Sequence, residues 1–208
     1  MTDLARELVK LFSEAGALRF GLFTLKSGAR SPFFFNLGDV ARGPHLQRMG
    51  ALLADGVQQL FPDATLLFGP AYKGIALVAL AAAELSRRHG RDVGTCYNRK
   101  EHKAHGEGGS LVGCTPGPAD RLLLVDDVVT SGQTKREAIE LLQREVTVEP
   151  AGMLVFVDRR LEGDAEQSIA GVPLRALATL PSIADALEES GDARARVLRN
   201  YYERKPWE

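Results

Sequence analysis

Leu122-Leu123-Leu124-Val125-Asp126-Asp127-Val128-Val129-Thr130-Ser131-Gly132-Gln133-Thr134 is the stretch that decides the fold. Its four leading aliphatic residues leave no polar face, as in a strand of a parallel sheet covered by helices on both sides. Two adjacent carboxylates follow, then a hydroxyl-rich turn that opens a helix over about Thr134 to Gln143. Backbone N–H groups, the hydroxyls of Thr130, Ser131 and Thr134, and a helix N-terminus together suit a phosphate monoester. Gly132 lets the main chain approach such an anion without a Cβ in the way. Asp126 and Asp127 would repel that phosphate, so they need hydroxyls or a divalent cation as partners. A phosphate next to a diol, as in ribose 5-phosphate, satisfies both halves. Neither the Gly-x4-Gly-Lys-Ser/Thr loop nor the Gly-x-Gly-x-x-Gly fingerprint occurs here.

Working outward, the same alternation repeats. Thr65–Phe68 reads as a strand, Gly69-Pro70-Ala71-Tyr72-Lys73-Gly74 as a turn, and the apolar run behind it as a helix ending near His89-Gly90. Val93–Tyr97, Met153–Val157 and Leu174–Leu177 are further strand candidates. The class is therefore α/β, a central mostly parallel sheet flanked by helices. Before it, Leu4, Leu8, Leu11, Phe12 and Ala15 recur at helical spacing, and Gly16 fits a C-cap. Phe20–Lys26 and Ser31–Leu37 read as a hairpin, and Pro44 starts a second helix. Ser182–Tyr202 reads as one or two surface helices. Residues 1–208 are expected to form one domain, with about 1–40 contributing an N-terminal hood. Ligands of open α/β sheets sit beyond the carboxyl ends of the strands, so loops 69–74, 126–134 and 158–160 belong to one site.

Bulk properties exclude several classes. A net charge of −1 gives no reason to wrap nucleic acid or coat an anionic membrane. The longest apolar run, Ile75–Ala83, falls far short of a bilayer span. Met1-Thr2-Asp3 opens an amphipathic helix rather than a signal peptide. Cys96 and Cys114 fit no zinc spacing or disulfide framework, and they read as reduced thiols of a cytoplasmic protein.

One loop stands apart: Asn98-Arg99-Lys100-Glu101-His102-Lys103-Ala104-His105-Gly106-Glu107-Gly108-Gly109. It gathers Arg99, Lys100, Lys103 and two imidazoles, is rich in glycine, and has no apolar anchor. Such a loop suits a lid that closes over a polyanion and excludes water. Its cations would neutralise a departing pyrophosphate. A protein that only sensed nucleotides would need no leaving-group stabiliser.

The 122–134 segment resembles the 5-phosphoribosyl-1-pyrophosphate (PRPP) motif of the type I phosphoribosyltransferases: strand, two acids, two residues, then Thr/Ser-Gly-x-Thr. That motif is blind to the base. The 98–109 loop resembles the catalytic loop of orotate phosphoribosyltransferases, Asn-Arg-Lys-Glu-x-Lys-x-His-Gly-Glu-Gly-Gly. Phe23-Thr24-Leu25-Lys26-Ser27-Gly28, Ser31-Pro32-Phe33-Phe34-Phe35-Asn36 and Leu67–Gly74 agree with it.

The resemblance implies transfer of the phosphoribosyl group from PRPP to orotate, the type I phosphoribosyltransferase fold, and Mg²⁺ as cofactor. It implies PRPP contacts at Tyr72, Lys73, Arg99, Lys100, Lys103, His105, Asp126, Asp127, Val128, Val129, Thr130, Ser131, Gly132, Gln133 and Thr134. Lys103, His105, Asp126 and Asp127 are the catalytic candidates. Lys26, Phe34, Phe35, Thr130 and Arg159 match the orotate side, although Arg160 adjoins Arg159 and either could point inward. The metal would be held mainly by substrate, near Asp126 and Asp127. The resemblance further implies a homodimer in which Lys103 and His105 serve the neighbouring subunit's site. Gln133 departs from the small residue or threonine of several members.

Overall fold

The computed structural model describes residues 2–25, 28–100, 110–146, 148–161 and 167–206. The chain opens with helix α1 (Thr2–Glu14), strands β1 (Leu18–Thr24) and β2 (Arg30–Phe35), and a short 3-10 turn, Leu37–Asp39. Helix α2 (Gly43–Leu60), strand β3 (Leu66–Gly69), helix α3 (Lys73–His89) and strands β4 (Gly94–Asn98) and β5 (Leu111–Gly113) follow. The second half runs β6 (Leu122–Val129), α4 (Gln133–Glu145), β7 (Gly152–Asp158), β8 (Ser168–Ile169), β9 (Val172–Thr179), α5 (Leu180–Glu189) and α6 (Arg194–Tyr202).

Seven strands form one sheet in the order β5-β4-β3-β6-β7-β9-β8. The five central strands are parallel, and β5 and β8 add as antiparallel edges. The α/β class and the mostly parallel sheet are as the sequence led us to expect. The two edge strands were not anticipated. They are only three and two residues long, too short for a hydrophobic pattern to register, and short edges discourage pairing with other chains.

Alternation along β6 explains how one strand serves two cores. Leu123 and Val125 pack towards α1, α2, α3 and α5, whereas Leu122 and Leu124 face α4. All four are at most 1% exposed, and burying each stabilises the fold by about 1.5–3 kcal/mol. The ladder does not stop at the aliphatic run. Asp126 is in register with Val155 and Val128 with Val157, so the acidic pair lies within the strand rather than in the following loop. Main-chain pairing is indifferent to side chains, and the carboxylates are tolerated because they lie at the strand's carboxyl end, where the core gives way to a cleft.

β1 and β2 form a separate antiparallel hairpin. Period-two alternation sends Phe33 and Phe35 inward, where Phe35 meets Phe12 at 6.2 Å, while half-buried Phe34 stacks on Phe23 at 5.6 Å. The C-terminal segment forms two helices, α5 and α6, and Thr179 caps the first through a reciprocal bond pair with Ser182. Among the described residues no helix is long and apolar enough to cross a membrane.

Candidate active site

The site is built on three strand ends. β3 delivers the 70–72 turn, β6 delivers the acidic pair and the phosphate-type turn, and β4 delivers Asn98 and the first lid cations. A cleft of about 410 Å³ opens between them, lined by Tyr72, Lys73, Lys100, Asp126, Asp127 and Thr134 among others. Tyr72 is 66% exposed, with the Lys100 ammonium 4.5 Å above its ring. The Ala71–Tyr72 peptide is cis, and the Ala71 N–H donates to Asn98 Oδ1 at 2.8 Å, tying the turn to the end of β4.

The two carboxylates differ in their surroundings. Lys135 Nζ lies 2.6 Å from Asp126 Oδ2 and 3.7 Å from Asp127 Oδ1, and Lys73 Nζ lies 2.8 Å from Asp127 Oδ2. Burial raises the Asp126 carboxyl above its ordinary value despite the nearby Lys135. Burial pushes Asp127 the same way, but bonds from Lys73 and the Val128 N–H, with the Lys135 charge, outweigh it and hold that carboxyl below its ordinary value. One strand end therefore carries two carboxylates of unequal acidity.

The turn after β6 is shaped by Gly132, which adopts φ +78° and takes the cap position of α4. The Lys135 and Arg136 N–H groups turn back to the Gly132 carbonyl at 3.0 Å and the Gln133 N–H reaches Ser131 Oγ at 3.5 Å, so an anion here would meet the helix N-terminus chiefly through the Gln133 and Thr134 N–H groups and the turn's hydroxyls. Thr130 and Ser131 are exposed. Gln133, the departure from the family pattern, lays its side chain along the helix, Nε2 donating to Glu137 Oε1 at 3.1 Å.

Not every expected residue lines this cleft. Val128 and Val129 are ladder residues, Val129 fully buried. Arg99 is exposed, and its N–H donates to the Ser110 carbonyl at 2.6 Å. Phe35 lies in the core beside the hairpin, Phe34 on the hairpin's other face. Arg159 is 9% exposed, its Cζ 4.6 Å above the Phe33 ring and 5.8 Å from that of Phe35, and Nη2 donates to Ser31 Oγ at 3.3 Å. Burial lowers its pKa, offset in part by a hydrogen bond with Tyr201. Arg160 instead forks onto Asp158, with contacts of 3.0 and 2.8 Å. Lys26, Lys103 and His105 lie outside the described residues.

Lys135 was missed in the sequence. It sits in a charged Thr-Lys-Arg-Glu run that resembles a solvated face. A signal existed, since Lys135, Ala138, Ile139 and Leu142 are spaced as one buried stripe of α4.

Residues 42–188 match the phosphoribosyl transferase domain family. The chain is 41% identical over 210 residues to an orotate phosphoribosyltransferase of Thioalkalivibrio sulfidiphilus, covering 97% of each chain. It is 39% identical over 204 residues to one of Pseudomonas aeruginosa, covering 95% of this chain and 94% of that one. A crystal structure of orotate phosphoribosyltransferase from Francisella tularensis superposes with a TM-score of 0.78 at 28% identity, covering 94% of both chains. With this likeness running through the sheet and all three loops of the cleft, the chain belongs to the phosphoribosyltransferase family, type I fold, and within it to the orotate phosphoribosyltransferases.

Proposed function

We infer that the chain transfers the 5-phosphoribosyl group from PRPP to orotate, giving orotidine 5′-monophosphate and pyrophosphate in pyrimidine biosynthesis. The observation that carries this is a paired-carboxylate strand end opening onto a phosphate-type turn, in a chain about 40% identical over its length to orotate phosphoribosyltransferases.

In the mechanism we propose, a base nitrogen attacks the anomeric carbon with inversion. The new C–N bond forms as the C–O bond to pyrophosphate breaks, the electron pair leaves on pyrophosphate, and the nitrogen's proton is released. Charge separates strongly, so catalysis is positioning and electrostatics. Asp126 and Asp127 hold the ribose hydroxyls and offset the developing ring cation. The turn from Thr130 to Thr134 holds the 5-phosphate, and Tyr72, Lys73, Arg99 and Lys100 face the pyrophosphate. Lys103 and His105 neutralise the leaving group from the neighbouring subunit of a homodimer, a reading supported by the resemblance of the 98–109 loop.

Lys26, Phe34 and Arg159 are assigned to the orotate side, under a hood formed by about residues 1–40, whereas Phe35 is turned into the core and would act there only as backing for Arg159, 5.8 Å from its ring. Arg159 is preferred over Arg160 because Arg160 is already neutralised by Asp158. Mg²⁺ suits the cleft by donor type, since Asp126 and Asp127 line it with the hard carboxylate oxygens that this ion takes. Both carboxylates already face lysines, so substrate oxygens would supply most ligands, near Asp126 and Asp127. Bound there, the ion would supply charge neutralisation for the pyrophosphate. A cytoplasmic location is proposed on the two free thiols.

The test is a steady-state assay with PRPP, Mg²⁺ and orotate, run beside adenine, hypoxanthine and uracil. Orotate consumption with matching pyrophosphate release is expected. Turnover with a purine alone would overturn the assignment of the base.

A further inference from the structure

The C-terminal helix α6 has no part in the reading above, yet it reaches the one arginine assigned to the base. Arg159 carries five N–H donors and is almost wholly buried, but among the described residues its side-chain partners are hydroxyls, Ser31 at 3.3 Å and Tyr201. Among the described residues its Nε has no acceptor, and no carboxylate pairs with it. A carboxylate partner would cancel the charge and compete with an anionic ligand. A hydroxyl orients the guanidinium and leaves its charge to be used. Tyr201 is further coupled to Arg159 through Phe33, meeting that ring edge-on at 5.0 Å while Arg159 lies 4.6 Å above it.

We propose that Tyr201 is a positioning residue: α6 brings its hydroxyl to Arg159 and fixes the guanidinium against Phe33 in the orientation that receives the substrate carboxylate or a ring carbonyl. This rests on the assignment of Arg159 to orotate, and the experiment separates the two. The full chain is assayed for the KM of each substrate and for kcat in four forms: wild type, Tyr201→Phe, Arg159→Ala and the double variant. Tyr201→Phe keeps the ring against Phe33 and removes only the hydroxyl. Tyr202→Phe is the control, since Tyr202 accepts from Arg199 at 3.1 Å on the same helix.

Tyr201→Phe should raise the KM for orotate about tenfold, the effect of one hydrogen bond to a charged group. The KM for PRPP and the melting temperature should stay at wild-type values. Tyr202→Phe should change neither KM, and Tyr201→Phe should add nothing once Arg159 is alanine. If Tyr201→Phe leaves the orotate KM within twofold while Arg159→Ala raises it, the positioning role is overturned and the base-site reading stands. If Tyr201→Phe lowers the melting temperature and weakens both substrates equally, its role is structural and the proposal is likewise overturned. If Arg159→Ala leaves the orotate KM unchanged, the base-site reading falls and takes this proposal with it.

Discussion

Lys135→Met isolates the charge balance beneath the cleft. The lysine side chain is 4% exposed, and its ammonium is 2.6 Å from Asp126, itself 13% exposed. Methionine keeps most of the stem volume and tolerates irregular packing, so a cavity contributes little to the cost. What remains is a buried carboxylate without its partner. Breaking such a pair costs about 3–5 kcal/mol, and the residual exposure of Asp126 to water places the expectation at the low end, about 3 kcal/mol. For a chain of this size that corresponds to a fall in melting temperature of about 6–12 °C.

The pH dependence gives the sharper signature. With Lys135 gone, the burial that already raises Asp126 is less opposed, so its folded pKa climbs further above the unfolded value. A carboxyl raised in this way takes up a proton on folding. Its penalty is therefore full at neutral pH and is relieved as pH falls through the folded pKa. Thermal and urea unfolding at pH 7 and at about pH 5 should show the gap between wild type and variant narrowing in acid. Adding Asp126→Asn should recover most of the loss. A gap below about 1 kcal/mol, one independent of pH, or one that Asp126→Asn leaves in place would refute the electrostatic account.

Gly132→Ala should cost about 1–2 kcal/mol in a melt and raise the PRPP KM, because φ +78° disfavours a Cβ that would also lie 3.1 Å from Ile169. Gly69→Ala should be harsher, removing PRPP-dependent turnover, since its Cβ would sit 2.1 Å from the Gly74 carbonyl oxygen; wild-type kinetics would contradict that close approach. A thiol reagent at pH 8 should label exposed Cys114 and spare Cys96, whose thiol burial pushes up to about 12. Because that folded pKa is raised, stability from Cys96 is lost as pH rises from about 9 to 12, so Cys96→Ala should flatten the alkaline melting curve. Lys103→Ala should lower kcat about 10²–10³-fold at unchanged melting temperature if it stabilises the leaving group, and surviving turnover would remove it from the mechanism.

The parallel sheet was legible because β3, β6 and β7 each carry an unbroken apolar run, with the more mixed β4 and β9 falling into place beside them. Alternation along β2 parts its phenylalanines, Phe33 and Phe35 inward and Phe34 outward, whereas the resemblance had grouped Phe34 with Phe35 on the orotate side. What stayed hidden was long-range or short. β5 and β8 are too brief for any period. Tyr201 meets Phe33 across most of the chain length, and nothing in the Asn-Tyr-Tyr run of α6 marks which ring turns inward. Lys135 was obscured for a different reason: its residue type argues for solvent, while its place in the stripe with Ala138, Ile139 and Leu142 argues for burial, and a lysine obeys the stripe only when an acid waits at the other end.

That pairing also divides the labour of two lysines that look equivalent in sequence. Lys73 and Lys135 both face the acidic pair, so these four side chains together carry no formal net charge and add little attraction for PRPP. The Lys73 side chain is 56% exposed, so it can leave Asp127 for a phosphate oxygen at small cost, as exposed ion pairs contribute only about 0–1 kcal/mol. Lys135 is enclosed and cannot follow. Under the proposed mechanism, PRPP binding exchanges one partner of Asp127 for ribose hydroxyls and sends Lys73 to the pyrophosphate, while Lys135 stays to hold Asp126 in place. The remaining negative charge of the substrate must then be met by cations from beyond the acidic pair, which is the task that the composition of the 98–109 loop suits.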